Sequence, residues 1–122
     1  MTHKTITASE LLTEVVIKGL QERKGQDIVR MDLRNVNGAI TDFFIICTGT
    51  SDRHVKSLAD SAEEFTKKEL QDKPFSREGV QIGEWVLLDY VNVVVHIFLA
   101  DKRKFYDIES LWGDAKFMKV EE

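Results

Sequence analysis

The sequence predicts an α/β (α+β) domain in which helices pack on a mixed five-stranded sheet. Three observations carry that prediction. Stretches of helical periodicity alternate with short strand-like runs. Two pairs of strands lie close enough in sequence to be hairpins, and longer helical crossovers separate them. The run DFFIICT at 42–48 is apolar on both faces, as a strand in the middle of a sheet must be. The expected order is α-β-β-α-β-β-α-β in one domain spanning residues 1–122.

Thr7 and Glu10 have the spacing of a capping box, so a first helix starts there. Leu11, Leu12, Val15, Val16 and Leu20 give it a buried stripe, and Lys24 with Gly25 ends it. Strands follow at 28–33 and 42–48, separated by the turn-prone residues 35–38. Gly49, Thr50 and Ser51 lead into a second helix capped by Ser51, with Val55, Leu58, Ala59, Ala62 and Phe65 inward. Outside, Glu63 with Lys67 and Glu64 with Lys68 are favourable i,i+4 pairs on a solvated face. Residues 71–83, with Pro74 and two glycines, read as a loop. A hairpin of 85–90 and 93–99 then turns at Val91 and Asn92. A helix from about 102 to 112 and an edge strand at 116–120 complete the order.

Composition narrows the function. The chain has 122 residues, 43% of them hydrophobic, and one proline, which suits a single globular core. Its 21 acidic residues outnumber 17 basic ones, so a long groove for nucleic-acid phosphates is disfavoured and a protein partner is expected. A lone cysteine excludes an internal disulfide and suits a reducing cytosol. The N-terminus lacks the apolar run of a signal peptide, and no apolar run approaches the roughly 20 residues of a membrane span. The chain is therefore expected to be cytoplasmic.

Residues 85–112 are the most informative stretch, because polar residues interrupt its strands. A two-residue loop sets Leu87 opposite His96, Asp89 opposite Val94 and Trp85 opposite Phe98. One face is then Val86, Leu88, Tyr90, Val93, Val95, Ile97 and Leu99, almost wholly apolar. The other carries Trp85, Asp89 and His96, the last two diagonal neighbours within reach of a hydrogen bond or water bridge. They read equally as a satisfied His–Asp pair serving the fold. The following helix is set against its own dipole, with Lys102, Arg103 and Lys104 at its start and Asp107 and Glu109 nearer its end, although Arg103 and Asp107 can pair. Tyr106, Glu109 and Trp112 suit a contact surface, while Phe105 and Ile108 are expected in the core stripe.

Catalytic and metal-binding patterns are missing. Gly49 to Ser51 before a helix could offer N–H groups to a phosphate, but no GxxxxGK[ST] or GxGxxG is present, and Asp52 and Asp60 lie on the helix rather than on a strand where they could hold magnesium. Cys47 at mid-strand reads as a small core residue. His3 falls in a frayed terminus, and His54, near a helix start, is expected to be exposed. No cofactor, metal or enzymatic activity is expected.

DFFIICTGTSDRHVKSLAD, the Glu78-Gly79 pair, WVLLDYVNVVVHIF and RKFYDIESLW, in that order, resemble the ribosomal silencing factor family, also called Iojap or RsfS. The resemblance runs from about residue 24 to 115. It implies a nucleotidyltransferase-like scaffold without the catalytic carboxylates. It also implies a translation repressor that binds the large ribosomal subunit through the fourteenth large-subunit ribosomal protein, blocks subunit joining when nutrients are scarce, makes little nucleic-acid contact, and is a homodimer when free. The positions matching family motifs, Trp85, Asp89, Tyr90, His96, Tyr106, Glu109 and Trp112, form the implied partner surface. The chain departs at the hairpin tip, where the family usually has Gly then Asp. Here Val91 resists the positive φ of a type I′ turn. Two other functions stay open on the residues: a nucleotidyltransferase-like enzyme or nucleotide binder using Gly49 to Ser51, and a homodimer whose aromatic face only joins subunits.

Overall fold

The computed structural model describes residues 5–121. Its elements are α1 (Ala8–Glu22), β1 (Gln26–Asp32), β2 (Phe43–Gly49), α2 (Asp52–Leu70), β3 (Ser76–Glu78), β4 (Trp85–Asp89), β5 (Val93–Leu99), α3 (Ala100–Tyr106), α4 (Ile108–Leu111) and β6 (Lys116–Lys119). The sheet runs β3-β4-β5-β2-β1-β6. β2 and β5 pair in parallel at its middle and all other pairs are antiparallel. The expected mixed sheet is present, but with six strands rather than five. The extra strand, β3, lies in the segment read as a loop. It is three residues long and pairs only with β4, too short to give a period-2 signal. His3 lies outside the described residues.

The caps form as expected. Thr7 and Glu10 make the full capping box on α1, and the Ser51 side chain accepts from the His54 N–H on α2. Both helices cover one face of the sheet, with Val16, Leu20, Leu58 and Ala59 against Ile45, Val95 and Ile97. Gly19 lets them approach closely, since a Cβ there would sit 2.9 Å from Ala62 Cα, and the Ser61 hydroxyl donates to the Gly19 carbonyl at 2.7 Å. Leu11 is exposed, and Ile17 takes a place in the core stripe instead. Glu63 and Glu64 do not face solvent as a simple i,i+4 ladder. They reach across elements to Arg77, at 3.3 Å, and Arg23, at 3.9 Å.

The opposite face is covered only in part. Val29, Met31, Ile46 and Phe98 pack beneath Ile108 and Ala115, and Phe44, Trp85 and Trp112 border them half-buried. The predicted helix at 102–112 is two pieces, broken at Asp107, whose φ of +45° is left-handed. The break removes the dipole conflict. Asp101 now sits in the first turn of α3 and Arg103 and Lys104 in its last, while Glu109 falls in the first turn of α4. Arg103 pairs with Glu109 and not with Asp107. The break also turns Phe105 out to 78% exposure, whereas Ile108 is buried as expected.

Candidate docking surface

The β4–β5 hairpin has the register read from the sequence: Trp85 opposite Phe98, Leu87 opposite His96, Asp89 opposite Val94. It closes without a type I′ turn. The Asn92 N–H donates to the Tyr90 carbonyl at 3.0 Å across Val91, whose φ is +75°, which is a γ-turn of the rare positive-φ kind. A β-branched residue is strained there. Neighbours hold it in place, since its N–H donates to Asp89 Oδ1 at 2.7 Å and its carbonyl accepts from the Thr41 hydroxyl at 3.0 Å.

Because Asp89 is occupied by this turn, the expected His96–Asp89 pair does not form. Instead the Trp85 indole N–H donates to His96 Nδ1 at 3.1 Å. That bond requires a neutral imidazole with its proton on Nε2. Burial, with no compensating charge, pushes the His96 pKa down to about 4. Nε2 has no partner among the described residues, which is the cost of placing a histidine in an apolar wall. The ring packs edge-on to Phe44 at 4.7 Å and stacks on Phe98 at 6.1 Å. His96 is thus a support for Trp85.

Trp85 in turn stacks on Phe98 at 4.8 Å and lies against Tyr106 at 4.7 Å. Tyr106 is exposed and Trp85 half-buried. Trp112, also half-buried, meets Phe44 edge-on at 6.2 Å. One aromatic band therefore runs from Tyr106 through Trp85, His96 and Phe44 to Trp112. Arg103 fixes its helical edge. The guanidinium donates two bonds of 3.1 Å to the Glu109 carboxylate, one of 2.7 Å to the Asp27 carbonyl and one of 2.8 Å to Thr48 Oγ1, tying α3 and α4 to the sheet. Glu109 belongs to this brace.

Of the seven residues expected at the surface, Tyr90 is on the other side of the sheet. It is buried against α2, its hydroxyl 2.8 Å from Thr66 Oγ1, and burial raises its pKa to about 12. Alternation places it there, since it follows Val86 and Leu88 on the core face. Ile40, Phe75 and Val91, absent from the sequence-based set, stand exposed beside the band. The strand pattern gave no signal for them, because each lies in a connection between elements.

At the other end of the parallel strands, a recess of about 840 Å3 includes Gly49, Thr50 and Ser51. Its charged lining is Asp52, Glu84 and Asp101, which repels phosphate. The Thr50 N–H that an anion would need already donates to His54 Nδ1 at 2.9 Å, and His54 Nε2 donates to the Arg23 carbonyl at 2.8 Å. His54 is therefore a partly buried clamp between α1 and α2, not the exposed residue expected. Cys47 is buried, its thiol pushed up to about 12 by desolvation, as befits a core residue. Among the described residues no group of three or more His, Cys, Asp or Glu side chains is arranged to hold a metal. No helix among them is long and apolar enough to cross a membrane.

The fold and this face define a class: a small α/β domain with a half-covered sheet face that presents a braced aromatic surface. Residues 5–122 match the family model described as "Ribosomal silencing factor during starvation", and the chain belongs to that family. It is 40% identical over 105 residues to the ribosomal silencing factor RsfS of Chromobacterium violaceum, covering 86% of this chain and 84% of that one. A crystal structure of a protein from Chromobacterium violaceum superposes with a TM-score of 0.81 at 37% identity, covering 88% of each chain. A mouse protein named for mitochondrial assembly of the ribosomal large subunit is 31% identical over 74 residues, 59% of this chain and 32% of that one.

Proposed function

We propose that this chain is a cytoplasmic translation repressor that seats its aromatic band on the large ribosomal subunit and thereby prevents the small subunit from joining. The contact is made chiefly with a ribosomal protein, the fourteenth of the large subunit, when nutrients are scarce. When free, the chain pairs with a second copy. One observation carries the reading: α3 and α4 leave the sheet face open along Trp85, Tyr106 and Trp112, and aromatics held rigidly at a partly desolvated surface are the residue types that anchor protein interfaces. The family to which the chain belongs and the name of the mouse relative supply the ribosomal context. The net charge of −4 suits a basic ribosomal protein, since complementary fields speed encounter and fix orientation. Blocking of this kind requires volume and slow release but no chemistry.

Sucrose-gradient sedimentation tests it. Added protein is expected to travel with isolated large subunits and to reduce the yield of joined ribosomes. Tyr106→Ala, an exposed substitution that spares the core, is expected to weaken both effects with little change in stability. Joined ribosomes forming undiminished at saturating protein would overturn the proposal.

A further inference from the structure

The aromatic band does not account for three exposed apolar side chains beside it. Ile40 is 97% exposed, Phe75 81% and Val91 57%, and they come from three separate connections: between β1 and β2, between α2 and β3, and at the hairpin tip. They converge on one recess of about 450 Å3 whose wall includes Leu87 of β4. Phe44, His96 and Trp112 of the band line the same recess, whereas Trp85 and Tyr106 line a separate hollow. Exposed apolar residues scattered singly need no explanation, but three around one concavity form a patch that water solvates poorly.

Two of the three rim positions are tied down. The Phe75 N–H donates to the Asp89 carbonyl at 2.6 Å, and the Thr41 hydroxyl holds the Val91 carbonyl. Val91 keeps its side chain at the rim despite a positive φ that glycine would adopt without strain. Strain maintained by surrounding bonds at a surface position indicates a use for that side chain. The charges lining the recess are Glu78 and Asp89, both acidic.

We infer that this recess, at the Trp112 end of the band, is a docking pocket that receives an aliphatic side chain flanked by Lys or Arg from a basic protein of the large ribosomal subunit. Apolar walls with acidic residues and no lining cation match that chemistry, and the pre-set rim lowers the ordering cost of binding. The inference rests on the proposed function and states what the Trp112 end of that surface receives.

The test uses full-length protein and isolated large subunits, with retention measured across a salt series and Tm measured alongside. Phe75→Ser is expected to weaken binding by about tenfold, as loss of an anchor contact does, with Tm unchanged. Val91→Gly is expected to raise Tm by relieving strain and yet to weaken binding. Glu78→Gln is expected to flatten the salt dependence. Wild-type affinity in both Phe75→Ser and Val91→Gly overturns the pocket and leaves the ribosomal function standing. Loss of self-association with ribosome binding intact also overturns it, because the occupant is then a second copy. Failure of the wild-type protein to bind large subunits removes both proposals together.

Discussion

The two faces of the sheet are built on different plans from the same strands. The face under α1 and α2 is aliphatic and dry, with Leu58, Ile97, Val95 and Ile45 fully buried and Gly19 allowing the helices to touch. The face under α3 and α4 has a smaller core of Met31, Leu33, Ile46 and Phe98, bordered by half-buried aromatics and a histidine and tied down by one arginine brace. Cooperative aliphatic packing supplies stability, and the rigid aromatic surface with one side open is the proposed place to bind. The difference implies that substitutions on the first face act on folding, whereas those on the second separate folding from function.

The largest expected effect breaks the first face. Leu58→Ala removes a fully buried side chain and should cost roughly 2–5 kcal/mol in urea unfolding, with ribosome binding lost only in proportion to the unfolded fraction. On the second face acid provides the comparable probe. His96 has a folded pKa depressed to about 4 against an ordinary 6.5. Between those values the unfolded chain binds a proton that the folded one excludes, so stability should fall as pH drops through that window, by up to about 3 kcal/mol. His96→Gln, which can still accept from Trp85, should flatten that dependence, and an unchanged profile would show that His96 does not titrate as a buried group. Next in size, Arg103→Lys loses the fork that reaches Glu109, Asp27 and Thr48 together and should cost about 2 kcal/mol, measured by the urea midpoint.

How far the sequence was legible follows the same division. Period-2 alternation placed Val93, Val95 and Ile97 on one face and Trp85 and His96 on the other, and the capping residues Thr7 and Ser51 marked both long helices. These signals are local, and the structure bears them out. The second face depends on events that periodicity does not encode. Asp107 breaks the last helix by a left-handed φ, which redirects Phe105 to solvent and gives Arg103 a different partner. Trp85 takes the histidine nitrogen that Asp89 was expected to meet, because Asp89 is held by the turn. Glu78-Gly79 reads in sequence only as a matching pair. In the fold Gly79 has a φ of +79°, and a Cβ there would collide with the Trp85 carbonyl.

The smallest expected effect sharpens the comparison most. Phe105 is as large as any core residue and lies one position from Tyr106, yet it packs against Tyr106 only edge-on, at 5.0 Å, and is otherwise open to solvent. Phe105→Ser should therefore change stability by no more than about 0.5 kcal/mol, as an exposed substitution does. Its effect on large-subunit binding then reports how far the proposed docking surface extends along α3. If the band ends at Tyr106, binding stays at the wild-type level. If partner contact continues back along α3 from Tyr106, Phe105→Ser weakens binding without weakening the fold, a separation that no substitution under α1 and α2 should produce.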